Sequence, residues 1–378
     1  MIEIEKFAKD FFQQKRNIPR HHKTITCYAA FNHMRIKRNG MMMPCCFSTS
    51  HQKWEKGKTS LKDYWFGGVN EEYQDDFLEG GLSRGCVKSC GSRINKLLPP
   101  PIYDYDWNVG DERLEHAMDP DSWPKVFEFE ISNLCNMACV MCMGELSSKH
   151  MLGRDKDLKK YDQNTFDDDE NLEQLLIELE EFIPHLHTIR FTGGEPFAHK
   201  GFYRIAELVT KLNPNMVIDI TTNGSIYNTK VDKFAKLLNM KLSMSLDTVI
   251  KDEYDKIRIG GVHSETLGNI QKFKNVLGSD NIKINSTLMS INCLNIDTFF
   301  QYAFDNNFEP FINGYDRHGR EHTIDWNVSN IDIHQRREVI DILQNKWIRK
   351  KHHLQLGDSF IEAVKKTITL LEPKLYVE

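Results

Sequence analysis

Long apolar runs are missing from this chain. No stretch of about 18 consecutive apolar residues occurs, so no membrane-spanning helix is expected. The first residues, MIEIEKFAKDFFQQKRNIPRHHK, contain no apolar core, and no secretory signal is expected there. A strong excess of one charge is missing too. Lys and Arg number 49 against 54 Asp and Glu, a formal net charge of −5. That balance gives no electrostatic case for nucleic acid, and neither a nucleic-acid nor a membrane partner is expected. With 40% apolar and 27% charged residues, the 378-residue chain falls outside the disordered class. Internal sequence repeats are absent. These features point to a cytoplasmic setting, where disulfides are rare.

What the chain does have is cysteine. Nine are present, at 27, 45, 46, 86, 90, 135, 139, 142 and 293, with none in the last 85 residues. Thiols in such a setting more often bind metal or do chemistry than form bridges. Five fall in the first 90 residues and three within eight residues of one another. Two separate thiol sites are the simplest reading.

The length allows two domains, or one large α/β domain with an addition. Residues 98–125 carry three consecutive prolines, several acids and little periodicity. They read as a linker that packs through Tyr103, Tyr105 and Trp107. This gives a thiol-rich N-terminal unit over 1–97, a core over 126–318 and a helical extension over 319–378. Within the core, apolar patterning predicts strands at 126–132, 187–193, 216–224, 241–247, 282–289 and 309–315. Helices are predicted between them at 171–183, 202–212, 230–238, 265–277 and 296–307, with two more at 332–350 and 358–371. The acidic run 167–171 reads as a solvated helix start. Six strands alternating with helices imply an α/β fold with a parallel sheet and right-handed crossovers. Such sheets place their chemistry at the carboxyl ends of the strands.

The residues after each predicted strand are therefore the ones to read. Cys135, Cys139 and Cys142 follow the first, in CxxxCxxC spacing. Three thiolates from one loop can hold a four-iron cluster with one iron left open. A zinc loop completed by a distant His, or three buried thiols, are the alternatives. Thr192-Gly193-Gly194-Glu195-Pro196 follows the second strand; the glycines admit a close approach, and the carboxylate can accept from a cationic amine. Thr222, Asn223 and Gly224 follow the third. Ser243, Ser245 and Asp247 alternate along the fourth, on the face where a ligand with hydroxyl groups would bind or where loop backbone needs hydrogen bonds. Arg258, before Gly260 and Gly261, can clamp a carboxylate or make a salt bridge.

CxxxCxxC after the first strand, GGEP after the second, TNG after the third and SLD after the fourth together resemble the radical SAM superfamily. The resemblance covers roughly residues 126–315. It implies a partial (β/α)6 barrel of the TIM type. It also implies a [4Fe–4S] cluster on Cys135, Cys139 and Cys142, whose open iron takes the amino and carboxylate groups of S-adenosylmethionine. Gly193, Gly194 and Glu195 would meet the methionine amino group. Thr222 and Asn223 fall in the same cofactor-binding set. Ser245 and Asp247 would lie near the ribose or methionine portion, and Arg258 near the carboxylate. Met141 departs from the aromatic residue often found before the third cysteine. The implied chemistry is reductive cleavage to methionine and a 5′-deoxyadenosyl radical, which abstracts a hydrogen atom from a substrate.

The N-terminal cysteines have their own pattern. Residues 24–47 read as a β-hairpin turning at Asn39-Gly40, with Cys27 beginning one strand and Cys45 and Cys46 ending the other. A helix over 61–66 follows, then Cys86 and Cys90. Four converging thiols make a closed site, for an iron–sulfur cluster or a structural zinc. The segment resembles the SPASM/twitch domains of radical SAM enzymes, which implies one auxiliary [4Fe–4S] cluster, here placed before the core instead of after it. Which of Cys45 and Cys46 ligates is open. Cys293, just beyond the fifth strand, can give a hydrogen atom to a substrate radical or be a packed thiol.

The resemblance implies an enzyme of the radical SAM oxidoreductase kind, reduced by a partner such as flavodoxin or ferredoxin. A peptide residue, changed by epimerisation, crosslinking or dehydrogenation, is the expected substrate. A small-molecule alcohol or amino sugar is the alternative. A metal-binding interaction protein without catalysis is the rival of another class.

Overall fold

The computed structural model describes residues 27, 29–49, 51–78, 83–86, 122–153, 164–315 and 325–372. It divides into two compact units. The first comprises Met1–Ser132, Gln163–Gly193 and His199–Ile218; the second comprises Asn133–Asp162, Gly194–Ala198 and Asp219–Glu378.

In the first unit, β1 (His33–Ile36), β2 (Met41–Met43), β3 (Gln52–Lys53), β4 (Val126–Glu130) and β5 (Thr188–Thr192) lie in the order β3-β2-β1-β4-β5. β1 and β2 form the expected hairpin, in register Arg35 with Met43, and Gly40 takes the turn at φ +82°. The hairpin is shorter than the sequence implied. Ala29–Asn32 is a buried helical turn, and Cys27 lies before it instead of beginning a strand. Two alanines, the best helix formers, explain the difference. β1 also pairs in parallel with β4, Arg35 opposite Glu128. The thiol-rich segment and the first core strand thus share one sheet. Most of the expected linker, with Tyr103, Tyr105 and Trp107, lies outside the described residues. At its end, Trp123 stacks on His185 with centroids 4.6 Å apart, and the Trp65 indole donates to the Ser122 carbonyl at 2.8 Å.

All five residues of β4 are buried. Phe127 and Phe129 join an aromatic stack that includes Phe191 of β5. Glu128 and Glu130 point the other way, as strand alternation demands. Their burial is tolerated because the Arg35 guanidinium bonds both, at 2.5 and 2.6 Å. Among the described residues, the longer helices of this unit are α1 (Leu61–Trp65), α2 (Gly68–Leu78), α3 (Asp169–Phe182) and α4 (Lys200–Leu212). Ser60 and Asp63 form a reciprocal capping box on α1, and the Asp168 carboxylate caps α3 through the Asn171 N–H. The acidic run is a helix start, as expected. α3 buries Leu172, Leu175, Leu176, Leu179 and Phe182 along one stripe.

The chain passes into the second unit within β6 (Val217–Thr222). There β7 (Asn239–Ser245), β8 (Ile282–Leu288) and β9 (Glu309–Gly314) lie parallel in the order β7-β8-β9. Besides the short helix Ser148–Leu152, the helices among its described residues include α5 (Thr229–Leu237), α6 (Lys251–Ile257), α7 (His263–Leu277), α8 (Ile296–Asn306), α9 (Ile333–Leu343) and α10 (Asp358–Leu371). The strand-then-helix order runs six times from β4 to β9, the α/β pattern expected from the sequence. α6 was not expected; its seven residues are too few for an apolar period to register. α9 runs on into a π-helical turn, Gln344–Ile348, whose Trp347 donates to the Asp297 carboxylate at 2.6 Å. Among the described residues, no helix is long and apolar enough to cross a membrane.

Candidate active site

The loop after β4 carries Cys135, Cys139 and Cys142, and the second unit holds it from two sides. The Ser148 hydroxyl accepts the Cys135 N–H at 3.2 Å, Ser147 donates to the Met137 carbonyl at 2.7 Å, and buried His150 donates to the Cys139 carbonyl at 2.8 Å. Opposite, the Ala138 and Val140 N–H groups donate to the carbonyls of Ile259 and Ile257 at 2.8 and 3.0 Å. Gly260, at φ +91°, and Gly261 make room for this approach: a Cβ on either would come within about 3 Å of the cysteine loop, against Asn136 O and the Met137 methyl. The RIGG motif therefore serves loop docking, a role that a guanidinium beside flexible backbone did not reveal.

Burial raises the Cys135 and Cys139 thiols and pushes Cys142 up to about 12, and the three act on one another electrostatically. Two of the sulfurs face nitrogen donors. Asn223 Nδ2 stands 3.8 Å from Cys135 Sγ, and Arg258 Nη1 stands 3.6 Å from Cys139 Sγ.

Glu195 is 1% exposed. Its carboxylate accepts the Thr222 hydroxyl at 2.8 Å and the backbone N–H groups of Asn223 at 2.7 Å and Phe197 at 3.1 Å. Burial pushes the carboxyl up to about 7, against these three neutral donors and the more distant Arg258 charge. Gly193 sits at φ +104°, and a Cβ on Gly194 would stand 2.3 Å from the Leu134 carbonyl. The Glu195 N–H donates to that same carbonyl at 2.7 Å. The close approach these glycines permit is therefore between two stretches of backbone, not only toward a ligand.

Asp247 and Arg258 are buried and bonded to each other, Nε to Oδ2 at 2.6 Å. A surface fate for Arg258 is thereby replaced by an internal pair. Ser243 and Ser245 are half-buried on β7, and Asp247 lies just past its end. Cys293 is fully buried in a turn before α8, its thiol pushed up to about 11 by burial, with Arg336 and Glu253 as its charged neighbours. In the first unit, Cys27, Cys45 and Cys86 are buried and Cys46 is half-buried. Burial raises Cys45, and Cys46, Cys27 and Cys86 raise it further. Cys90 lies outside the described residues. Sequence reasoning missed Ser147, Ser148 and His150; the SSKH run that begins five residues after the third cysteine was the available signal.

Residues 129–292 match the Radical SAM superfamily. That stretch is similar to radical SAM domains. Molybdenum cofactor biosynthesis protein 1 of Dictyostelium discoideum is 28% identical over 226 residues, 57% of this chain and 33% of that protein. A GTP 3′,8-cyclase of Clostridium botulinum is 27% identical over 173 residues, 45% of this chain and 49% of the cyclase. The chain thus spans between a third and a half of these relatives. Among solved structures, anSMEcpe with bound AdoMet matches with a TM-score of 0.44 and 17% identity, over 60% of this chain and 61% of that one. SuiB of Streptococcus suis matches with a TM-score of 0.41 and 14% identity, over 86% and 69%. Both likenesses are too loose to bear on chemistry.

Radical SAM domains use a [4Fe–4S] cluster and S-adenosylmethionine. The residues of this domain fit those groups. Three thiols, one buried and two half-buried, lie on one pinned loop, with hydrogen-bond donors at two of the sulfurs. Beside them a buried carboxylate is served by neutral donors, the setting in which an ammonium group is the missing counter-charge.

Proposed function

We propose that this chain reductively cleaves S-adenosylmethionine and takes a hydrogen atom from a substrate. Cys135, Cys139 and Cys142 would hold the cluster, which when bound supplies the electron for cleavage. Gly193 and Gly194 shape the turn that brings Glu195 to the methionine ammonium. Thr222 and Asn223 orient that carboxylate, and Asn223 also reaches Cys135. Ser245, half-buried at the end of β7, would lie near the ribose or methionine portion. Asp247 belongs to the internal pair with Arg258. The observation that carries the reading is the Glu195 carboxylate, buried and bonded to three neutral donors beside the cysteine loop.

Cys27, Cys86 and Cys90, with Cys45 or Cys46 as the fourth ligand, would hold an auxiliary cluster. The support is that Cys27, Cys45 and Cys86 are all buried in the first unit. A flavodoxin or ferredoxin would supply electrons, in the cytoplasm. For the substrate we favour a peptide residue, on the resemblance of the first 97 residues to SPASM/twitch domains. A nucleotide-sized small molecule is the second reading, because curated relatives bear the name GTP 3′,8-cyclase.

Anaerobic reconstitution with iron and sulfide tests the proposal. Two clusters give about eight iron atoms per chain, and dithionite should then release 5′-deoxyadenosine from S-adenosylmethionine. Zinc in both sites and no 5′-deoxyadenosine would overturn it. Deuterium carried into 5′-deoxyadenosine from a labelled peptide, or from labelled GTP, separates the two substrate readings.

A further inference from the structure

We propose that Arg258 is a positioning residue for Cys139, donating a charge-assisted hydrogen bond to its sulfur, and not a clamp for the carboxylate of S-adenosylmethionine. The inference rests on the radical SAM reading and concerns the environment of one cluster thiol.

The guanidinium is committed at two of its nitrogens. Nε donates to Asp247 Oδ2 at 2.6 Å, and Nη1 points at Cys139 Sγ from 3.6 Å. Arg258 is 8% exposed and Asp247 1%. Asp247 is itself fixed. Its Oδ1 accepts the Thr287 N–H at 2.7 Å, and its carbonyl accepts the Ser286 hydroxyl at 2.9 Å and the Asn292 amide at 3.2 Å. These bonds hold Asp247 at φ +66°, in the left-handed region that favours glycine. The backbones on either side of the contact are tied as well. Ala138 bonds Ile259 and Val140 bonds Ile257, so Cys139 and Arg258 are bracketed by two hydrogen bonds and stand opposite each other. A guanidinium held by an anchored carboxylate and a pinned backbone has little freedom to reach for a ligand.

The sulfur is where it acts. Hydrogen bonds to cluster sulfurs and nearby positive charge stabilise the more negative, reduced cluster and so raise its potential. Asn223 offers Cys135 a neutral donor; Arg258 offers Cys139 a charged one, which is the stronger kind. The same contact fixes the Cys139 rotamer.

The test is a redox titration of the anaerobically reconstituted full chain by electron paramagnetic resonance, without S-adenosylmethionine. The signal that later responds to S-adenosylmethionine identifies the cluster concerned. Arg258→Met should lower the reduced-to-oxidised ratio at fixed potential about tenfold, a downward shift of about 59 mV for a one-electron couple. Iron content should match the parent. An unchanged midpoint with weakened S-adenosylmethionine binding would restore the carboxylate clamp and overturn the proposal. Arg258→Met strands the buried Asp247 carboxylate, so Arg258→Met/Asp247→Asn is titrated beside it and should shift in the same direction. If neither variant assembles its cluster, Arg258 is a folding residue and the proposal fails. If the parent itself binds no iron, the radical SAM reading fails first and takes this inference with it.

Discussion

The Glu195 carboxylate receives the backbone N–H of Asn223 at 2.7 Å, and burial holds its carboxyl near 7 instead of the ordinary 4.5. An acid raised in the folded state binds a proton there that the unfolded chain has released. Between pH 4.5 and 7 the ligand-free protein therefore loses stability as pH rises, by on the order of 3 kcal/mol for a shift of this size. A ligand ammonium prefers the ionised form, so its affinity should rise about tenfold per unit as pH climbs toward 7, then level off. Isothermal titration of S-adenosylmethionine into reconstituted protein at pH 6, 7 and 8 checks this. Glu195→Gln should bind more weakly at pH 8 and lose the dependence. A wild-type affinity that is flat with pH would remove Glu195 from the ammonium site.

Gly194 has no room for a side chain. A Cβ there would stand 2.3 Å from the Leu134 carbonyl, a backbone atom already engaged by the Glu195 N–H. Overpacking against rigid backbone costs about 1–3 kcal/mol and sometimes more. Gly194→Ala should lower the midpoint of thermal unfolding by several degrees and weaken S-adenosylmethionine binding together. Gly268 is the control. It lies on the exposed side of α7 with nothing within 4 Å of its Cβ position, so Gly268→Ala should raise stability by up to about 1 kcal/mol. Equal behaviour of the two variants would sink the packing argument.

The sequence made the strand order of the core legible because β5, β6 and β8 each bury alternate residues, a period local enough to read. The grouping of Cys135, Cys139, Cys142, Glu195 and Asn223 was legible because each lies just past a strand end. The Asp247–Arg258 pair was not. Its partners belong to different elements, and only the fold turns a solitary arginine into an internal cation. The cover over the β4 acids was hidden for a related reason. Phe and Glu alternate along β4, and it is Arg35 from β1 that covers the acids. Pairing of β1 with β4 is a long-range event, separated by some 90 residues, that local pattern does not encode.

The Arg35 bridge predicts a particular weakness in the first unit. Its guanidinium bonds Glu128 and Glu130, and all three side chains are nearly sealed from solvent. Burial works against the Glu128 charge, yet Arg35 and then His33 hold it well below the usual carboxylate range. Arg35→Met leaves two buried acids without that partner, a loss of about 3–5 kcal/mol at neutral pH. A depressed carboxylate stabilises the fold above its ordinary range and loses that contribution as pH falls. The variant should do the opposite and recover toward the wild type as its acids become able to protonate. Thermal unfolding at pH 7.5 and pH 5 checks the reversal. The exposed pair Lys62–Glu181 is the comparison, and Lys62→Met should cost less than about 1 kcal/mol.

Cys293 decides between a chemical thiol and a packed one. Its Sγ points at the Ser290 carbonyl from 3.8 Å, its residue is fully buried, and burial pushes the thiol up to about 11. Arg336 and Glu253 are the charged groups that act on it. A hydrogen donor must touch the substrate carbon, whereas a thiol in this setting behaves as a small apolar side chain. Cys293→Ala should therefore lower stability by about 1 kcal/mol, through the small cavity it leaves, and leave the rate of product formation unchanged. The decisive measurement is product formed per 5′-deoxyadenosine released. A variant that releases 5′-deoxyadenosine at the parent rate but stalls before product would show that the sulfur supplies the returning hydrogen after all.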